Sequence, residues 1–285
     1  MFITPKKYFQ KSREQKFAIP AFNIYNLETV LGVLRAAKKL KSPVIIAVSE
    51  SNIRYAGLNA VYSTVEGIIK DIDKNLPVIL HLDHGSDFNL IKDCIEVGFN
   101  SIQIDASKYK LNKNIQITKQ VVEYAHKYKI FVEGELGAMQ GGHGIVSGLF
   151  KGKIPLADIN EIKQFIKETN IDSLAPAVGT VHGMFKNEKI DFKLLKQIRK
   201  ETNKYLVLHG GSGVPVSQIK KAVKAGINKV NIGTEIKVAF TNTIRDVSIK
   251  NKNETDPRKI LIPAIDKVEQ VSLKVIKILN SQNKI

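Results

Sequence analysis

A chain of 285 residues that is 43% hydrophobic and 25% charged carries enough apolar material for a sizeable core, as one large α/β barrel or two average domains. It has no apolar run of the roughly 18–20 residues that span a membrane, no charged-then-apolar export layout at its N-terminus, and one cysteine, Cys94, which excludes an internal disulfide and agrees with a reducing cytosol. The net charge of +17 comes from lysines scattered over helix faces, as in 36-AAKKLK-41 and 217-SQIKKAVKAG-226, with no tract interleaved with aromatics; this argues against nucleic acid as a partner but leaves an attraction for anions.

Along the chain, a short leading helix within 1–17 precedes a strand at 18–24 and a helix at about 27–40, with Leu27, Val30, Leu31 and Leu34 on one face. The run 44–48 is a second strand, ended by Ser49-Glu50-Ser51. A helix near 58–74 leads to a strand at 77–82, after which Asp87 can cap a helix at 87–97. A strand at 101–104, a helix at about 114–128 and a strand at 130–132, ending at Glu133-Gly134-Glu135, come next. The Gly-rich 137-GAMQGGHGIVSG-148 is the longest irregular stretch and has the composition of a mobile active-site loop. Helices at 158–168, 191–201 and 215–225 then alternate with strands at 172–175, 205–208 and 229–232. A helix starts near 234, and a last amphipathic helix covers roughly 260–280. Eight strand-then-helix units without a linker-like break predict one α/β domain over 1–285, a (β/α)8 TIM barrel with an extra helix at each end. A doubly wound sheet would carry a Gly-x-Gly-x-x-Gly first turn, and 22-FNIY-25 has no glycine.

In such a barrel, polar residues at the C-terminal strand ends converge on one mouth. Here those ends carry Asn23, Ser49, Asp83 with His84, Asp105, Glu135, His182, His209 and Asn231. Helix capping explains any one of them, but not a polar residue on every strand. His84, His182 and His209 each open a His-Gly pair after an apolar run, and three imidazoles from three strand ends suit a catalytic Zn²⁺ with an open coordination position. His81 precedes Asp83 by two and points to the same side, into the barrel. Two turns are built for phosphate: 209-HGGSG-213, and Asn231-Ile232-Gly233-Thr234 at the start of a helix, where glycines let backbone N–H groups approach an anion.

Together these residues resemble the class II, zinc-dependent fructose-bisphosphate and tagatose-bisphosphate aldolases. The resemblance runs over nearly the whole chain and is carried by 20-PAFNIYNLET-29, 79-ILHLDHGS-86, 103-QIDAS-107, 133-EGELG-137, 171-IDSLAPAVGTVHG-183, 207-VLHGGSG-213 and 229-KVNIGTE-235. It implies that His84, His182 and His209 hold Zn²⁺, that Asp105 and Glu135 hold or neighbour the metal in an alternative position, and that Asp83 is the acid/base at the aldehyde oxygen. It further implies that Gly183, Lys186, Gly210, Gly211, Ser212, Asn231, Ile232, Gly233 and Thr234 bind the ketone fragment and its phosphate. Asn23 and Ser49 match substrate-contacting positions, and Arg258 matches an arginine that reaches the other phosphate from a neighbouring subunit. The implied enzyme is a cytoplasmic homodimer or homotetramer, with room for a monovalent cation such as Na⁺ or K⁺. It cleaves a ketose 1,6-bisphosphate reversibly to dihydroxyacetone phosphate and glyceraldehyde 3-phosphate.

The chemistry of the residues agrees. Breaking a carbon–carbon bond beside a ketone leaves negative charge, which a metal Lewis acid stabilises by several kcal/mol. The alternative is a Schiff-base lysine, and no lysine stands at any of the eight predicted strand ends. One departure from the family stands out. After Glu-Leu-Gly the family carries Gly-Gly-x-Glu, whose glutamate moves the carbon-bound proton of the three-carbon ketone, whereas 141-GGHGIV-146 has no carboxylate. Either His143 substitutes as the base, the step is slow, or the chain is a weakened homologue that binds sugar phosphates or acts as a partner subunit. His143 is the expected substitute, because a neutral imidazole abstracts protons near pH 7. Residues 23–29, 182–184 and Gly233 lie closer to the tagatose branch, and Lys186 closer to the fructose branch.

Overall fold

The computed structural model of the chain describes residues 2–137, 154, 156–185 and 188–285, together with the backbone of 141–146. The strands in chain order are β1 (Ile19–Asn23), β2 (Val44–Ser49), β3 (Val78–Gly85), β4 (Ser101–Ile104), β5 (Phe131–Leu136), β6 (Gly141–Val146), β7 (Ser173–Pro176), β8 (His182–Met184), β9 (Tyr205–Leu208) and β10 (Ile227–Ile232). Eight of them close into a parallel barrel in the order β1-β2-β3-β4-β5-β7-β9-β10, with β10 back against β1, as the alternation predicts. Outside the barrel, β6 pairs only with β8.

The helices are α1 (Pro5–Gln15), α2 (Leu27–Lys39), α3 (Glu50–Ala56), α4 (Leu58–Asp73), α5 (Phe88–Val97), α6 (Leu111–Lys127), α7 (Ile159–Thr169), α8 (Phe192–Glu201), α9 (Val216–Lys224), α10 (Thr234–Lys250) and α11 (Pro257–Ile278). Short polar side chains start several of them. Asp87 accepts from the N–H groups of Asn89 and Leu90, and Asn26 and Thr29 form a capping box. None of the described helices is long and apolar enough to cross a membrane.

Parallel strands bury both faces, and the period of two sorts their residues between two cores. Val44, Ile46, Leu80, Leu82, Ile102 and Leu206 pack outward against the helices. Ile19, Ala21, Ile45, Ile79 and Phe131 turn inward and fill the N-terminal end of the barrel. That end is plugged by α1 and the residues after it, with Tyr8, Phe9 and Phe17 joining the inner cluster. Phe9 stacks on Phe131 with ring centroids 4.5 Å apart. The opposite half of the interior is left for polar side chains.

Four expectations are corrected. Residues 50–56 form a helix rather than a strand stop, and the Ser49 hydroxyl caps it by accepting from Asn52 N–H at 3.3 Å. Leu27 is 49% exposed, and the buried face of α2 runs through Val30, Val33, Leu34 and Ala37, one turn farther along. Part of the Gly-rich stretch is regular: Gly141 and Val146 of β6 are in register with His182 and Met184 of β8. His182 therefore does not end a barrel strand, because β7 stops at Pro176 and His182 opens β8 six residues later.

Phe9 is 1% exposed, so truncation at the plug should cost what a large core cavity costs. Phe9→Ala is expected to lower unfolding free energy by about 3–5 kcal/mol in urea titrations. A loss under about 1 kcal/mol would show that the barrel does not depend on α1.

Candidate active site

The site begins with an irregularity in β3. Leu82 is in register with Ile102 and Gly85 with Ile104, so Asp83 and His84 stand opposite the single residue Gln103. That is a β-bulge, and His84 takes the left-handed conformation, with φ 53°. Successive strand residues normally point to opposite faces. The bulge instead lets Asp83 and His84 line the same cavity at the mouth. Gln103 secures it, accepting from His84 N–H at 3.0 Å through Oε1 and donating to Glu135 at 2.8 Å through Nε2.

The other walls of that cavity are Asn23, His182, Gly183, Gly210, Ser212, Asn231, Gly233 and Thr234. Most residues expected at the mouth from sequence are thus brought together. The three histidines each offer a ring nitrogen within 4.8 Å of the other two. The His84 ring lies edge-on to those of His182 and His209, with centroids 4.9 Å away in both cases. Asp105 Oδ2 is 2.8 Å from His84 Nδ1, and Ser107 anchors the same carboxylate by donating to Oδ1. His84, Asp105 and Glu135 form a second group able to hold a cation.

A polar column beneath the mouth fixes the third imidazole. His209 Nε2 is 3.0 Å from Glu133 Oε1, while the buried Nδ1 has no hydrogen-bond partner among the described residues, although Glu135 Oε2 lies 3.4 Å away. A buried ring nitrogen left in this way beside two further imidazoles fits a metal ligand. Glu133 also accepts two bonds from Lys229 Nζ, at 2.8 and 3.0 Å, and Lys229 reaches His81 Nε2 at 2.9 Å. Burial alone would raise the Glu133 carboxyl, but the Lys229 ammonium and the His209 bond outweigh it and hold the group below the usual carboxylate range. For His81, burial and then Lys229 push the imidazole down to about 3, so it is neutral.

Asp83 is held from both sides. Asn23 Nδ2 donates to Oδ2 at 2.7 Å and Asn231 Nδ2 donates to Oδ1 at 2.9 Å. Burial opposes ionisation of Asp83, but the neighbouring charges, His84 first and then Lys229, prevail and hold its carboxyl well below the usual carboxylate range. Asn231 Oδ1 is a buried acceptor with no donor among the described residues.

Other expected residues fall elsewhere. Ser49 caps α3, and Ile232 turns its side chain into the outer core. The Gly211 N–H donates to Asn231 O at 3.1 Å, so that amide is taken and cannot cradle an anion. Arg258 is 83% exposed in its side chain, pairs with Asp256, and does not line the mouth of its own chain. Lys186 and the His143 side chain lie outside the described residues.

Three residues were missed. Glu133 and Lys229 share the period-two signal that places His81 inward, since each precedes a mouth residue by two. Glu188 gave no such signal. Its carboxylate accepts from Phe185 N–H at 3.0 Å and Val181 N–H at 3.3 Å, clamping both flanks of β8. A Cβ at Gly213 would come within 2.1 Å of Glu188 Oε1, so that glycine makes room for the clamp.

A closed barrel whose mouth gathers imidazoles, carboxylates and two glycine turns has the layout of a barrel enzyme acting on a small polar substrate. Comparison with known proteins narrows the class. Residues 3–284 match the family described as fructose-bisphosphate aldolase class-II. The fructose-bisphosphate aldolase of Geobacillus stearothermophilus is 42% identical over 99% of this chain and 98% of its own, and that of Staphylococcus aureus is 39% identical over the same shares. The crystal structure of the YdjI aldolase from Escherichia coli K12 superposes with a TM-score of 0.85 at 28% identity, covering 100% of this chain and 99% of that one. The chain belongs to the class II fructose-bisphosphate aldolase family.

Burial raises the Glu188 carboxyl to about 7, against the two backbone N–H groups that pull it the other way. Its folded value then exceeds the unfolded one of about 4.3, so the native state binds the proton more tightly and stability falls as pH rises between the two values. Wild type should therefore lose more unfolding free energy than Glu188→Gln between about pH 5 and 7.5 in urea titrations. Parallel profiles would contradict a buried, proton-binding Glu188.

Proposed function

We propose that the chain is a metal-dependent lyase that reversibly cleaves fructose 1,6-bisphosphate to dihydroxyacetone phosphate and glyceraldehyde 3-phosphate, with Zn²⁺ as its ion. The observation that carries the reading is the meeting of His84, His182 and His209 within 4.8 Å, with His209 Nδ1 unsatisfied among the described residues and His84 and His182 lining one cavity with Asp83 and Asn231. Three imidazoles suit zinc, and His84 with the two neighbouring carboxylates, Asp105 and Glu135, offers a second position. The names of the relatives favour fructose over tagatose bisphosphate as substrate.

When bound, the ion would act as a Lewis acid that stabilises the charge left by carbon–carbon cleavage. The chain's own groups do the rest. Asp83, kept ionised and fixed by the two asparagine amides, takes the proton from the substrate hydroxyl whose carbon becomes the aldehyde, and returns it in the condensation direction. Asn231 Oδ1 is a ready acceptor for a substrate hydroxyl. Ser212, Gly233 and Thr234 form the phosphate end of the cavity, with Gly233 and Thr234 opening the 17-residue α10, whose dipole favours an anion. His143 is the proposed base for the carbon-bound proton. Its strand, β6, is paired to the segment that carries His182, which supports a place beside the mouth.

A coupled triose-phosphate assay tests the reading. Cleavage should be abolished by exhaustive chelation and restored by zinc, and Asp83→Asn should lower kcat by about 10²–10⁴-fold while metal content stays unchanged. Cleavage that survives chelation would contradict the metal route. Zinc uptake without cleavage would favour the weakened homologue.

A further inference from the structure

Four basic side chains gather at a place the reaction does not use. At the N-terminal end of the barrel, away from the mouth, a cavity of about 250 Å³ opens between the C-terminal ends of α1, α8 and α9 and the start of β10. Arg13, Lys16, Arg199 and Lys224 line it, and no carboxylate does. Among the described residues both guanidinium groups donate only to backbone carbonyls: Arg13 to Asn203 O, and Arg199 to the carbonyls of Thr202 and Lys204. Arg13 also lies 4.3 Å over the Tyr205 ring, which fixes its plane. Nearby acids are committed elsewhere, Glu201 to Lys163 at 2.9 Å and Glu14 to the Gln10 amide at 2.9 Å.

Cations at helix C-termini are ordinary, and the helix dipole accounts for each of these four taken singly. It does not account for two arginines held close together with no acid between them. Burial, and then the charge of Arg13, press the Arg199 guanidinium down to about 10, a sign of like-charge crowding in a partly desolvated place. An uncompensated cation in such a place is costly, and an anion relieves the cost. Each guanidinium has five N–H donors and gives no more than two to carbonyls here, so both keep a fork that matches phosphate oxygens.

We propose that this cavity is a binding site for a small phosphoryl-bearing polyanion, a diphosphate or triphosphate group, separate from the sugar-phosphate site at the mouth. Its charge calls for more than one phosphoryl group, and its size admits a small molecule rather than a macromolecule.

Footprinting of lysine acetylation on the full chain, read peptide by peptide, tests this at the site itself, so that binding at the mouth does not register. Inorganic pyrophosphate is the probe, with sodium chloride at equal ionic strength as control. Pyrophosphate should slow modification of Lys16 and Lys224 by about fivefold or more relative to the exposed Lys108 and Lys252, because charge-assisted bonds sequester the ammonium groups. Arg13→Gln should remove that protection and Arg13→Lys should keep part of it. If Arg13→Gln does not fold, Lys224→Gln with Lys16 as the reporter serves instead. Absent protection, protection matched by sodium chloride, or protection unchanged in the variant that folds would each overturn the proposal.

Discussion

The extra residue in β3 is the constraint on which the mouth depends. A regular strand would send Asp83 inward and His84 outward, and the carboxylate and the imidazole could not share a cavity. The bulge places both there at the cost of a left-handed non-glycine residue, the kind of local strain that persists only where surroundings over-determine it. Those surroundings are Gln103 under the His84 N–H, Asp105 on its ring, and Asn23 and Asn231 on Asp83.

A second layer supports the first. Glu133, Lys229 and His81 occupy the barrel interior below the mouth, each buried. Buried ion pairs contribute little net stability, so their value here is orientation. Glu133 holds His209 by Nε2 and so turns Nδ1 toward the other imidazoles, while Lys229 keeps Glu133 ionised for that task. The apolar plug around Phe9 and Phe17 closes the far end. The barrel is thus divided along its axis into a packed base and a polar, chemically active top.

Much of this was legible in the sequence. Strands announced themselves as short apolar runs, and the polar residue closing each run marked the mouth, which located Asn23, Asp83, Asp105, Glu135, His209 and Asn231. His182 was found for the wrong reason. The apolar residues Ala177, Val178 and Val181 continue the run past the true strand end, so a histidine of β8, outside the barrel, looked like the end of a barrel strand. Ser49 illustrates the reverse, a residue of the right type in the right place that serves as a helix cap. Glu188 could not be read at all, because an acid between Asn187 and Lys189 looks solvated, and only the fold shows it buried and bonded to both flanks of β8, which carries His182.

The central claim is that three imidazoles far apart in the chain share one ion at the open end of the ring. X-ray absorption of the chain loaded with one equivalent of zinc tests it most directly. The account predicts a first shell containing three imidazole nitrogens, each of His84→Ala, His182→Ala and His209→Ala removing one of them. A shell without imidazole scattering, or one unchanged in any of these variants, would contradict it.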